Sequence, residues 1–179
     1  MNTRNRLIVR FTVLFVVLSS LIISCTTTND PANSTTTTTS GLVVTANTST
    51  AGGNYSPKNV MAVWIENSSG QFVKSLAVYA ASRKSDLTHW QSASKGNATD
   101  ASTSATRSSY KSIALTWNGT DTNGNVVADG SYKVCFELTD KSSSGNYSSF
   151  NFTKGATEQT ETPTSVPSFS NITIKWMPL

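Results

Sequence analysis

Few side chains in this sequence can do covalent or acid–base chemistry, and each is nearly alone of its kind. His89 is the one histidine, so a histidine-rich metal site cannot be assembled and any Ser-His-Asp triad would have to use it. No serine stands in a Gly-x-Ser-x-Gly elbow. Beside Trp90, His89 reads as a packed or surface side chain. Glu66 and Glu137 could act as paired carboxylates in a glycosidase-like cleft, yet nothing in the sequence places them together, and separate strand charges are the default. Asp121, Asn123, Asn125 and Asp129 offer oxygen donors in a glycine-containing loop. Their spacing lacks the twelve-residue pattern closed by a glutamate, and Asx side chains capping turns explain them more simply. No catalytic set and no metal site is predicted.

The elements that must position these residues are strands. From Gly41 on, short apolar runs alternate with turn signals at the spacing of an all-β domain. Residues 41–46 open it and 51–58 form a loop. Along 60–66, Val60, Ala62 and Trp64 face one way while Met61, Val63 and Ile65 face the other, which places this strand centrally between layers. Residues 67–70 turn the chain into a return strand over 72–79, making a hairpin. A second hairpin is predicted from Ile113, Leu115 and Trp117 on one arm and Tyr132, Val134, Phe136 and Leu138 on the other, with Asn-Gly and Asp-Gly pairs between them. Cys135 lies on the opposite face of that arm, half-exposed or packed against a neighbour. Residues 148–152 and 169–176 supply closing strands, 155–168 a long surface loop, and 84–92 one short helical turn around Leu87. The sum is an Ig-like or fibronectin III-like β-sandwich of about seven strands in two sheets.

Composition agrees with an exported β domain. Of 179 residues only 13% are charged, about half the usual ~25%, and Ser, Thr and Asn fill the vacated share. The net charge of +4 belongs mostly to the first 24 residues, where Arg4, Arg6 and Arg10 meet no acid. The remainder holds eleven Lys and Arg against ten Asp and Glu, too even for a basic stripe on nucleic acid. A basic start followed by the apolar run 11–23 has the anatomy of an export signal, shorter than the ~20 residues of a spanning helix. Residues 26–40 are Thr-rich and lack aromatics, as a solvated tether does.

Several stretches resemble known families. Leu21-Ile-Ile-Ser-Cys25 resembles the lipobox of bacterial lipoproteins, which implies a leader over 1–24, diacylglycerol on Cys25, a tether over 25–40 and a sandwich domain over 41–179. Multiple acyl chains would anchor it firmly. Asp30 lies away from the position that retains such proteins in the inner membrane, so the resemblance points to the outer membrane. Cys135 would then be the lone cysteine of the folded part, excluding an internal disulfide, a Cys-x-x-Cys pair and a cysteine-based zinc site. Tyr55-Ser-Pro-Lys-Asn-Val-Met-Ala-Val-Trp-Ile-Glu66, Gly70-Gln-Phe-Val-Lys-Ser-Leu76, Arg83 with Leu87 and Trp90, residues 100–107, and Thr116-Trp-Asn-Gly-Thr-Asp-Thr-Asn-Gly124 through Asp129-Gly-Ser-Tyr132 together resemble the predicted periplasmic proteins catalogued as domain of unknown function 2271. The Trp-Asn-Gly to Ser-Tyr run alone also resembles the Ig-like domain of flagellar hook-capping proteins. That likeness implies a structural role, with Trp117 in the core, Gly124 and Gly130 at turns and Tyr132 starting the return strand. Asp100-Ala-Ser-Thr-Ser-Ala-Thr106 resembles the Asp-x-x-Ser/Thr-Gly-Ala-Thr motif on which a flavin transferase places FMN as a phosphoester, here on Thr106. Ser104 stands where that motif carries glycine, and Arg107 would be the phosphate partner.

Three functions follow as expectations. The first is a lipid-anchored envelope interaction or accessory module without catalysis or cofactor. The second is an accessory of extracytoplasmic electron transfer, carrying FMN on Thr106 or docking to an envelope redox protein, with Trp64, Trp90 and Tyr110 relevant if exposed near Thr106. The third is carbohydrate binding, which needs Trp90 or Trp176 on a solvent-facing platform.

Overall fold

The computed structural model describes residues 40–179; the leader, Cys25 and the Thr-rich stretch through Thr39 lie outside them. The fold is an all-β, Ig-like sandwich. One sheet contains β1 (Gly41–Thr48), β5 (Ser112–Trp117), β8 (Gln159–Glu161) and β9 (Phe169–Met177), in the order β5-β1-β9-β8. The other contains β2 (Val60–Asn67), β3 (Phe72–Tyr79), β4 (Ser102–Ser104), β6 (Gly130–Thr139) and β7 (Asn146–Lys154), in the order β4-β3-β2-β6-β7. Nine strands therefore replace the seven or so expected. The additional β4 and β8 have three residues each and are wholly polar, so they carry no apolar alternation from which to be recognised.

The sandwich core fills the space between the sheets. Met61, Val63 and Ile65 of β2 meet Leu42 and Val44 of β1, Leu115 and Trp117 of β5, and Ile172, Ile174 and Trp176 of β9. The opposite face of β2 is covered as well. Val60, Ala62 and Trp64 pack with Val78, Leu87, Trp90 and Cys135 in a smaller apolar cluster. Its lid is a 3-10 helix (Ala81–Asp86) followed by α1 (Thr88–Ser94), more helix than the single turn expected. This double covering is why β2 is apolar on both faces.

The first hairpin forms as expected, with β2 antiparallel to β3. The second does not. β5 pairs with β1, whereas β6 lies between β2 and β7. Residues 118–129 are an arch that carries the chain from one sheet to the other. Trp117 and Tyr132 still face the same core, with ring centroids 5.5 Å apart, but from opposite layers. The Tyr132 hydroxyl donates to the Ala128 carbonyl at 2.6 Å, a tyrosine corner that fixes the exit of the arch. Gly124 (φ 83) and Gly130 (φ 153) sit at its turns, in backbone conformations that a Cβ would strain. Residues 155–168 are surface loop except where β8 joins β9.

Candidate functional site

The segment holding Asp100, Thr106 and Arg107 crosses the free edge of β3. Strand β4 adds to that edge in parallel, Ser102 opposite Ala77 and Ser104 opposite Tyr79. Beyond it, Arg107 bridges to Asn59 through two backbone hydrogen bonds of 3.0 and 2.9 Å, and its guanidinium lies 3.9 Å over the Tyr79 ring. The Arg107 Nη1 is buried and has no hydrogen-bond partner. Ser104, Thr106, Arg107, Ser108 and Lys111 line a shallow depression of about 340 Å3. The fold thus places Lys111 at the same depression as the neighbours Thr106 and Arg107. Asp100 lies before the other end of β4, at φ 56, and its carboxylate accepts from Lys74 Nζ at 3.3 Å. That ammonium also donates to Thr120 Oγ1 and the Asp121 carbonyl, both at 3.3 Å, so Lys74 ties β3 to the arch and Asp100 is its ion-pair partner.

Neither carboxylate of the proposed pair stands free. Glu137 is fully buried and accepts from the backbone N–H groups of His89 (3.1 Å) and Trp90 (2.9 Å), holding the first turn of α1. Burial raises its pKa above the usual carboxylate value, and those N–H groups pull the other way. Glu66 Oε1 accepts from Trp64 Nε1 at 2.8 Å. Across the β2–β6 ladder Glu66 stands opposite Lys133 and Glu137 opposite Ala62, four residues apart along the strands. The two acids therefore occupy separate settings, not one cleft.

Cys135 is fully buried, not half-exposed. Burial and the nearby Glu66 charge push its thiol up to about 12. The Tyr147 hydroxyl donates to its sulfur at 3.6 Å, and burial also takes that phenol to about 12. His89 stacks on Tyr147, centroids 4.4 Å apart at 12°, while Trp64 lies 5.8 Å from the same ring.

The oxygen-rich arch is organised by turns. Asp121 Oδ1 accepts from the backbone N–H groups of Asn123 and Asn125 at 2.8 and 2.9 Å, and Asp129 pairs with Lys154. Among the described residues no group of three or more His, Cys, Asp or Glu could hold a metal ion. Trp90 and Trp176 are 0% and 1% exposed, so neither forms the solvent-facing platform that carbohydrate binding required of them. Trp64, also at 0%, is likewise no exposed neighbour of Thr106.

Two organising residues escaped the sequence reading. Asp140, fully buried, accepts from Thr50 Oγ1 (2.7 Å), Ala51 N (3.1 Å), Gly53 N (2.7 Å) and the Tyr110 hydroxyl (2.5 Å), and so seats the loop between β1 and β2. A Cβ on Gly53 would collide with Asp140. Tyr147 stands on the outer face of β7, whose other outward residues Ser149, Asn151 and Thr153 show no apolar pattern. The sequence signals were an aspartate directly after an apolar strand and an aromatic out of phase with Phe150 and Phe152.

No helix among the described residues is long and apolar enough to cross a membrane. Neither the curated proteins nor the solved structures contain a match to the chain. The family model described as "Predicted periplasmic protein (DUF2271)" matches residues 42–168, from the second residue of β1 to the threshold of β9. With the arch, the lid and the β4 segment all inside that match, the chain belongs to this family of predicted periplasmic proteins.

Proposed function

We propose that the chain is a lipid-tethered module of the bacterial envelope that works by binding, not by catalysis. The observation that carries this is the order of its parts: a basic start, a short apolar run, Leu21-Ile-Ile-Ser-Cys25 and a Thr-rich stretch directly ahead of a β-sandwich of a periplasmic family. The geometry supports the binding half. His89 is stacked, Glu137 holds a helix start, Asp140 seats a loop and Cys135 is sealed, so the groups best suited to chemistry serve the fold. With Asp30 displaced from Cys25, the outer membrane is the proposed destination. Fractionation tests the anchor. The native chain should pellet with outer membranes and carry two or three acyl chains by intact mass, and Cys25→Ser should release it to the soluble fraction. A native chain without acyl mass would end this reading.

A second reading rests on a different observation, that Thr106, Arg107 and Lys111 line one depression. A hydroxyl residue flanked by an arginine and a lysine suits a phosphoester, and FMN carried there would make the domain an accessory to an envelope redox protein. Peptide mapping of residues 95–111 from a strain with an active flavin transferase decides it. The mass of an FMN phosphoester on Thr106 supports the reading, and an unmodified threonine rejects it.

A further inference from the structure

On the outer face of the five-stranded sheet, where Tyr147 of β7 meets His89 of α1, a depression of about 400 Å3 opens over Glu66. That volume suits a small ligand or one inserted side chain. The Glu66 side chain is fixed: the residue is only 9% exposed, and Trp64 Nε1 engages its Oε1 at 2.8 Å. Its Oε2 is the oxygen that faces Gly70 on the rim, 4.0 Å from where a Cβ on that glycine would sit. Among the described residues no ion pair includes Glu66, although Lys133 stands opposite it in β6.

Phe72, His89 and Tyr147 form aromatic walls, and Gln71 and Ser92 complete the rim. Tyr147 is held in place by the hydrogen bond to Cys135 Sγ and by the stack with His89. Burial keeps this phenol and the thiol behind it protonated at neutral pH, so neither adds negative charge.

A largely desolvated carboxylate is costly unless matched by a cation. Here the fold supplies the Trp64 indole for one oxygen and the neutral Cys135 thiol beside the carboxylate, but among the described residues no ammonium or guanidinium within pairing distance. We propose that this depression binds an alkylammonium group, with the cation on Glu66 Oε2 and its stem along Phe72 and Tyr147. Aromatic walls attract an organic cation and shelter an apolar stem. A divalent metal ion would want several oxygen ligands, and one carboxylate supplies at most two. The site is separate from Thr106 and independent of any flavin there.

The test uses the full-length chain in detergent, labelled with 15N at tryptophan, so that the Trp64 indole N–H reports on its bond to Glu66. The probes are n-butylammonium, the capped amino acid Nα-acetyl-lysine methylamide, and the same capped lysine acetylated at Nζ. Both ammonium probes should move the Trp64 signal saturably, and the neutral acetylated probe should bind at least about tenfold more weakly. Tighter binding of the capped lysine assigns the site to a lysine side chain of a partner; tighter binding of butylammonium assigns it to a free amine. Glu66→Gln should abolish the response. Tyr147→Leu, at a half-exposed position, should weaken it about fivefold or more while the other three indole signals stay in place. No response to either ammonium, an equal response to the acetylated probe, or full binding by both variants would overturn the proposal.

Discussion

Asp140 concentrates more of the fold's polar organisation than any other side chain at one end of the sandwich. Burial raises its pKa, but the hydrogen bonds from Thr50, Tyr110, Ala51 and Gly53 outweigh that and leave it below the ordinary 3.8. Asp140→Asn keeps the size and loses the charge that these donors share. It should lower stability by about 2–3 kcal/mol at neutral pH, read from urea unfolding. A depressed native pKa contributes stability that is complete above the unfolded-state value and is lost as pH falls through the native one. The gap between wild type and variant should therefore narrow on going from pH 7 to about pH 3; a constant gap would assign the effect to packing. Cys135 gives a second residue-scale outcome. A sealed thiol held up to about 12 should resist iodoacetamide in the native protein and react once urea unfolds it, as followed on the Cys135 peptide. The sequence left its exposure open, because a strand residue facing away from the main core is sealed only if something covers that face. The lid of residues 81–94 begins with polar and charged residues and announces itself by only Leu87 and Trp90.

That lid is the element on which the outer face depends. Its helix α1 has seven residues and no side-chain cap of its own, too short to persist unaided. Glu137, reaching up from β6, supplies the acceptor for its first N–H groups. Glu137→Ala should cost about 1–3 kcal/mol and raise hydrogen exchange over residues 88–94 ahead of β2 and β6, which hydrogen-exchange mass spectrometry would resolve. Uniform protection across lid and sheet would refute that order of opening. The same scale shows what sequence pattern can and cannot carry. The apolar double face of residues 60–66 declared a central strand, and the four-residue turn after it declared a hairpin, since both signals are local. The pairing of β5 with β1 is not local. Asn-Gly and Asp-Gly fix where the chain turns, but an arch and a hairpin present the same alternation, since in both Trp117 and Tyr132 point into one core.

Across the whole molecule, Trp117 is the side chain through which the layers meet. Its ring contacts Tyr132 and Phe152 from the opposite sheet and Trp176 from its own, with centroids 5.5, 6.0 and 6.2 Å away, and its Nε1 donates to the Thr120 carbonyl at 2.7 Å. Trp117→Ala should cost about 3–5 kcal/mol with a single unfolding transition, measured by urea with fluorescence and circular dichroism together. Separate transitions would mean that the sheets hold independently. Class and layering were legible because they follow from alternation and turn spacing. The candidate sites were less so, because Glu66, Phe72, His89 and Tyr147 come from four separate elements that only the tertiary fold brings around one depression. The position of β1 has a mechanical consequence. It is ladder-bonded on both sides, to β5 and to β9, and it is the first strand of the described residues. Tension between a membrane anchor upstream and a partner gripping the other sheet would load β1 lengthwise. Two ladders would then have to shear together, where an edge strand would peel open one bond at a time. With the proposed anchor upstream, such a domain could be pulled on from the membrane without yielding first at β1.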